Sequence, residues 1–130
     1  MTERAVRELI VQGSSQLEAA HVPSPRVDAE LLMAHTLGVE RSQLIVQSSL
    51  SDEQVAEYMR LIGRRSAREP LQHLTGRAYF RHLELEVGPG VFIPRPETET
   101  LVEFVLTALT SRREAAVESE SSVVDLCTGS

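Results

Sequence analysis

A chain of 130 residues with 42% apolar content and a net charge of −6 has the size of one ordinary domain and enough apolar material for a small core. Its acidity argues against non-specific nucleic-acid binding, which needs cationic patches that displace counterions; its charged start, MTERAVRELI, is not that of a signal peptide; and no stretch approaches the ~20 apolar residues of a membrane span. The single cysteine, Cys127, excludes an internal disulfide and fits a reducing cytoplasm, and the scattered His21, His35, His73 and His82 lack metal-ligand spacing, so no metal site is expected.

Val6, Leu9, Ile10 and Leu17 recur at helical spacing after Thr2, which is placed to be an N-cap. Pro23 and Pro25 interrupt this pattern, and Ser24-Pro25 suits an N-cap followed by a first helical position. Leu31, Leu32 and Leu37 give the second helix an apolar face, with Gly38 as its stop. A short helical turn is expected around Ser42–Val46. Ser51 and Gln54 have the spacing of a capping box. Val55, Tyr58, Met59 and Ile62 continue that helix until Pro70 ends it. Residues 1–69 thus predict a small helical bundle whose shared core includes Leu9, Leu31, Leu32, Val55 and Ile62. Arg60, Arg64 and Arg68 fall four apart, with Arg65 beside them, and on a helix those three share a face. That run is either a solvated stripe suited to the helix dipole or a docking surface for an anionic protein or RNA partner.

Beyond Pro70 the pattern changes. Leu83, Leu85 and Val87 alternate with Glu84 and Glu86, which reads Ala78–Val87 as a strand with one buried face. Gly88-Pro89-Gly90 is a turn signal, and Val91-Phe92-Ile93 a second short strand, so that 78–93 predicts a β-hairpin. Pro96 begins a helix with Glu97 and Glu99 in its first turn and Leu101, Val102, Val105, Leu106 and Leu109 as its buried stripe. Residues 110–122 read as a polar loop. Val123-Val124-Asp125-Leu126-Cys127 reads as an apolar strand entering the turn Thr128-Gly129-Ser130.

Two segments point to chemistry. A strand that runs into a Gly/Ser/Thr turn is how open α/β sheets bind nucleotides, although an ordinary β-turn has the same composition. In Gly90-Val91-Phe92-Ile93-Pro94-Arg95-Pro96-Glu97-Thr98-Glu99, two prolines stiffen the chain and hold Arg95 extended between them. Such a loop suits a ligand with both a carboxylate and an amine, or serves as a rigid connector to a charged helix start. Arg95 would then face either a ligand carboxylate or one of Glu97 and Glu99.

Three blocks, in this order and spacing, resemble the HemK-type, bacterial release-factor glutamine N5-methyltransferases: Glu69-Pro70-Leu71-Gln72-His73-Leu74-Thr75-Gly76 with Phe80; Pro89 to Glu99; and Asp125 to Ser130. Asp28-Ala29-Glu30-Leu31-Leu32 fits as well, so the resemblance covers essentially the whole chain. It implies a mainly α fold class: an N-terminal helical bundle for substrate recognition (1–69), a linker with a β-hairpin (70–96), and the first helix and strand of a Rossmann-like α/β methyltransferase domain (97–130), incomplete. The implied cofactor is S-adenosyl-L-methionine. The implied partners are class-I peptide-chain release factors, modified at the glutamine of a Gly-Gly-Gln loop, with no membrane and no direct nucleic-acid partner. Carried over by position, the cofactor turn falls on Cys127, Thr128, Gly129 and Ser130, with Asp125 as its organiser. Phe92, Arg95, Glu97 and Thr98 fall on a block that borders the cofactor pocket.

Two positions depart from the family pattern. Cys127 replaces the usual first glycine of the turn, which survives if that residue does not need positive φ, and His82 replaces a frequent glycine. The family's Asn-Pro-Pro-Tyr motif is absent, so no catalytic residue is assigned and the chain itself is expected to be inactive. Other targets remain for the enzyme reading: a ribosomal-protein glutamine or a nucleic-acid base. A reading of another class is a helical module that binds a translation factor without catalysis.

Overall fold

The computed structural model describes residues 4–115 and 120–129; Thr2 and Ser130 lie outside them. The chain divides into two compact units, the first ending at Gly76 and the second beginning at Arg77.

In the first unit, α1 (Val6–Ala19) buries Val6, Leu9, Ile10, Gly13 and Leu17 along one face, the spacing of an amphipathic helix. Its N-cap is Ala5, without a side-chain cap. The entry is held instead by a two-residue bridge, in which β1 (Arg4–Ala5) pairs antiparallel with β2 (Ser49–Leu50) in the register Arg4 to Leu50. The Val6 N–H extends it to Ser48 O at 3.2 Å. Ser24 and Pro25 start α2 (Pro25–Leu37) as expected, and Gly38 ends it at φ +67°.

A 3-10 helix (Arg41–Val46) covers the expected helical turn. It starts at a capping box that the sequence reading missed, with the Glu40 N–H donating to Gln43 Oε1 at 2.9 Å. The expected box at Ser51 forms at the start of α3 (Asp52–Ser66), with Gln54 N–H to Ser51 Oγ at 3.3 Å and Ser51 N–H to Gln54 Oε1 at 3.0 Å. This helix stops at Ser66, short of Pro70, because Arg68 turns left-handed at φ +76°. A further short helix, α4 (Leu71–Thr75), then packs on α2 and α3 and ends at Gly76, φ +73°.

The core between α1, α2 and α3 is made of Leu9, Leu17, Leu32, Met33, Tyr58, Leu61 and Ile62, all nearly fully buried. Val55 packs against it from a partly buried position. Leu31 is only half-buried, contrary to expectation. α2 buries Asp28, Ala29, Leu32, Met33 and Ala34, and the apolar stripe it turns to the core runs through Ala29, Leu32 and Met33. This is the i, i+3, i+4 pattern, and Leu31 falls off that stripe.

The second unit carries a tighter hairpin than expected. β3 (Arg77–Phe80) pairs antiparallel with β4 (Leu83–Glu86), Arg77 opposite Glu86 and Phe80 opposite Leu83. Ala78–Val87 is therefore not one strand, and Val91–Ile93 is not its partner. Side-chain alternation changes phase between Phe80 and Leu83, as a two-residue turn requires. Arg81 takes the left-handed conformation there, at φ +54°.

The final helix, α5 (Pro96–Glu114), extends through residues expected in a loop. None of its residues is fully buried. Val102, Val105 and Leu109 are half-buried, whereas Leu101 and Leu106 of the expected buried stripe are 63% and 44% exposed. The expected strand at Val123–Cys127 does not form: residues 120–125 carry no regular structure, and Val123, Val124 and Leu126 are exposed. A strand of a parallel sheet needs neighbours for its hydrogen bonds and cover on both faces. The described residues contain only the two antiparallel pairs. No described helix is long and apolar enough to cross a membrane.

Candidate functional site

Pro94 and Pro96 hold Arg95 at φ −85°, ψ 140°, so its backbone is extended, as the flanking prolines predict. Arg95 O accepts the Thr98 N–H at 3.1 Å, which joins two of the predicted site residues at the start of α5. Arg95, Glu97 and Thr98 are exposed, and Phe92 is 88% exposed. Among the described residues, neither Arg95 nor Glu97 has a side-chain hydrogen bond or ion pair.

Glu99 is engaged elsewhere. Its carboxylate accepts the Arg81 N–H at 2.7 Å, and Glu103 accepts the Arg81 guanidinium at 2.6 Å. One turn of α5 therefore clasps the left-handed corner of the hairpin. The brace between Arg95 and Glu97 or Glu99 does not form. The strained position of the hairpin is Arg81 rather than the neighbouring His82.

The turn at Asp125–Gly129 is exposed throughout. Cys127 sits at φ +60° and Gly129 at φ +79°. The position occupied by Cys127 thus adopts a glycine-favouring conformation, at a cost of about 1–2 kcal/mol for a residue with a side chain. A side chain on Gly129 would meet open space. No hydrogen bond or ion pair joins the Phe92–Thr98 block to Asp125–Gly129 among the described residues.

In the first unit, the arginine run is largely neutralised. Arg60 pairs with Glu57 at 2.7 Å and Arg64 with Glu69 at 2.5 Å. Arg65 bridges to Asp28 at 2.8 Å and donates to Glu69 O at 3.0 Å. The hydrogen bonds from Arg60 and Arg64 hold the Glu57 and Glu69 carboxyls below the ordinary range. Arg68 lies beyond the helix end and shares no helical face with them. The pairing supports a solvated stripe.

A second charged group escaped sequence reasoning. A cleft of about 520 Å³ opens between α1, α2 and the 3-10 helix, with Val6, Ile10 and Leu44 on its floor and Arg7, Arg26, Glu30, Arg41 and Ile45 around it. Glu30 bridges Arg26 and Arg41, each at 2.6 Å. Partial burial raises the Glu30 pKa, but hydrogen bonds from Arg26 and Arg41 outweigh it and leave the carboxyl below its ordinary value. The Arg26–Glu30 spacing of four was legible on a helix; Arg41 joins them only through the turn after α2. Among the described residues no group of His, Cys, Asp and Glu is placed to hold a metal ion.

Comparison with known proteins places these features in a family context. The family model described as PrmC N-terminal domain matches residues 8–76. A release factor glutamine methyltransferase of Streptomyces coelicolor is 50% identical over 121 residues, 93% of this chain and 41% of its own length. The protein of the same name from Mycolicibacterium smegmatis is 47% identical over 95% of this chain and 42% of its own length. The one from Bifidobacterium longum is 45% identical over 96% and 43%. The chain thus spans about two fifths of the length of these relatives.

Proposed function

The chain belongs to the PrmC N-terminal domain family, and from that premise we propose that it is the N-terminal part of an S-adenosyl-L-methionine-dependent methyltransferase. Its substrate is the glutamine of the Gly-Gly-Gln loop in class-I peptide-chain release factors, modified at N5 in the cytoplasm. The observation that carries this reading is the extent of the likeness. Identity of 50% and 47% to release factor glutamine methyltransferases runs over 93% and 95% of the chain, and so through both compact units.

In this reading residues 1–69 recognise the protein substrate, residues 70–96 are a linker that contains the hairpin, and residues 97–130 begin the catalytic α/β domain. Phe92, Arg95, Glu97 and Thr98 border the cofactor, together with Asp125, Cys127, Thr128, Gly129 and Ser130. S-adenosyl-L-methionine supplies an electrophilic methyl group on a sulfonium. An amide nitrogen is a poor nucleophile, so alignment supplies much of the barrier reduction. The role of Arg95 is supported by its fixed backbone and unpaired guanidinium, which suit a carboxylate through paired hydrogen bonds.

The test uses the full-length reading frame that contains this chain, incubated with a release factor and S-adenosyl-L-methionine. Mass spectrometry should find one methyl group on the Gly-Gly-Gln glutamine and none on a release factor with Ala at that position. Methylation of a ribosomal protein or nucleic acid instead, or of nothing, overturns the reading. Arg95→Ala in that enzyme should weaken cofactor binding while leaving the ligand-free thermal midpoint nearly unchanged. The 130-residue chain alone should show no tight cofactor binding by calorimetry.

A further inference from the structure

We propose that the cleft between α1, α2 and the 3-10 helix docks an acidic protein segment that inserts an apolar side chain. The inference deepens the reading of the helical unit as the substrate-recognition part, and rests on it.

The cleft combines an apolar floor with a cationic rim. Its floor is apolar, from Val6, Ile10 and Leu44, and Ile45 stands at its edge 75% exposed. Around it are the guanidiniums of Arg7, Arg26 and Arg41, against the single carboxylate of Glu30. Glu30 does not cancel this charge. Arg26 gives it only its Nε–H as a hydrogen bond, at 2.6 Å, which leaves the terminal nitrogens for another acceptor. Arg7 has no ion-pair partner among the described residues. The cleft therefore carries a local excess of positive charge on a chain whose net charge is −6.

Glu30 also orients the two arginines, since one of its carboxylate oxygens pairs with each. Guanidiniums held in this way retain donors for carboxylates, and an apolar pocket beside them takes one side chain as an anchor. The chemistry fits a peptide with glutamate or aspartate flanking a leucine or similar residue. Single-stranded RNA fits less well, because it favours aromatic platforms for its bases and neither Tyr nor Phe lines this cleft.

The test titrates the isotope-labelled chain with a peptide of about twelve residues in which glutamates flank a central leucine. Saturable amide shifts are expected at Arg7, Ser42 and Ile45. Arg7→Glu and Ile45→Asp, both at exposed positions that leave the core intact, should each weaken binding on the order of tenfold. The same peptide with Gln for Glu should bind far more weakly. No saturable binding, equal affinity for the Gln peptide, indifference to both substitutions, or stronger binding of an RNA oligonucleotide would each overturn the proposal. The assay needs no methyl transfer. Failure of the full-length enzyme to modify a release factor, with peptide binding intact, would therefore indict the functional reading and leave the cleft standing.

Discussion

Gly13 of α1 lies directly against Tyr58 of α3: a Cβ at Gly13 would collide with the Tyr58 hydroxyl oxygen and come within 2.9 Å of Cδ1 of Ile62. The absent side chain is what lets the two helices approach around a buried tyrosine, whose hydroxyl donates to Ala29 O on α2 at 3.4 Å. Burial raises the pKa of that hydroxyl well above its ordinary value. Gly13→Ala gains about 1 kcal/mol of helix propensity but overpacks the contact at about 1–3 kcal/mol. We expect a net loss of stability in urea unfolding. Tyr58→Phe removes the colliding oxygen, so the double variant should lose less than the sum of the single ones; strict additivity would mean that the helices simply move apart.

Leu32 and Leu31 are neighbours with different fates. Leu32→Ala should cost about 2–5 kcal/mol, as for a fully buried leucine. Leu31→Ala, at a half-buried position, should cost clearly less. Equal urea midpoints for the two variants would place the register of α2 elsewhere.

Asp28 is 7% exposed and meets Arg65 across the α2–α3 contact. Removing one partner strands the other charge, so Asp28→Ala should cost on the order of 3 kcal/mol. Combining it with Arg65→Met should recover part of that loss in thermal unfolding, because an apolar pair has no charge to desolvate. A double variant no better than Asp28→Ala would show that Arg65 acts mainly through its bond to Glu69 O.

The depressed Glu30 pKa predicts an acid-dependent contribution. The folded state holds the charged form more tightly than the unfolded chain does, whose ordinary value is 4.5. The stabilisation is therefore fully present above that pH and is lost as pH falls through the lower folded value. Urea midpoints from about pH 3 to 6 should fall less steeply for Glu30→Gln than for the unmodified chain. Parallel curves would mean that the Arg26–Glu30–Arg41 bridge adds nothing to stability.

Glu97 and Glu99 sit two residues apart in the same motif but do different work. Glu99→Ala removes the acceptor of the Arg81 N–H and should speed hydrogen exchange in the hairpin of residues 77–86. Glu97→Ala, at an exposed position with no side-chain hydrogen bond to either strand, should not. Similar exchange in both variants would show that the clasp does not hold the hairpin.

Local signals were legible wherever a residue acts on its own segment. Gly38 as a helix stop, the box at Ser51 and Gln54, Pro25 as a helix start, and the extended Arg95 all depend on backbone geometry within a few residues. The hairpin was misread although its signal was present: alternation shifts phase between Phe80 and Leu83, and the stronger pattern of Leu83, Leu85 and Val87 masked the turn. The resemblance of the Glu69–Gly76, Pro89–Glu99 and Asp125–Ser130 blocks pointed to the family, but it did not reveal that Glu99 serves the hairpin.

What the sequence by itself determined was the longer helices, several of their starts and stops, and the family, because periodicity, caps and prolines are written in adjacent residues; the short helix Leu71–Thr75 was not among them. Only the tertiary structure decided which charges meet. Arg41 reaches Glu30, Arg65 reaches Asp28 and Arg81 reaches Glu99 across separations of 11, 37 and 18 residues. Such pairs have no periodic signature, since they depend on how helices and turns pack. The segment Val123–Leu126 marks the opposite limit. Its apolar residues have strand propensity, but a strand exists only when another strand accepts its hydrogen bonds, and no described residue does so.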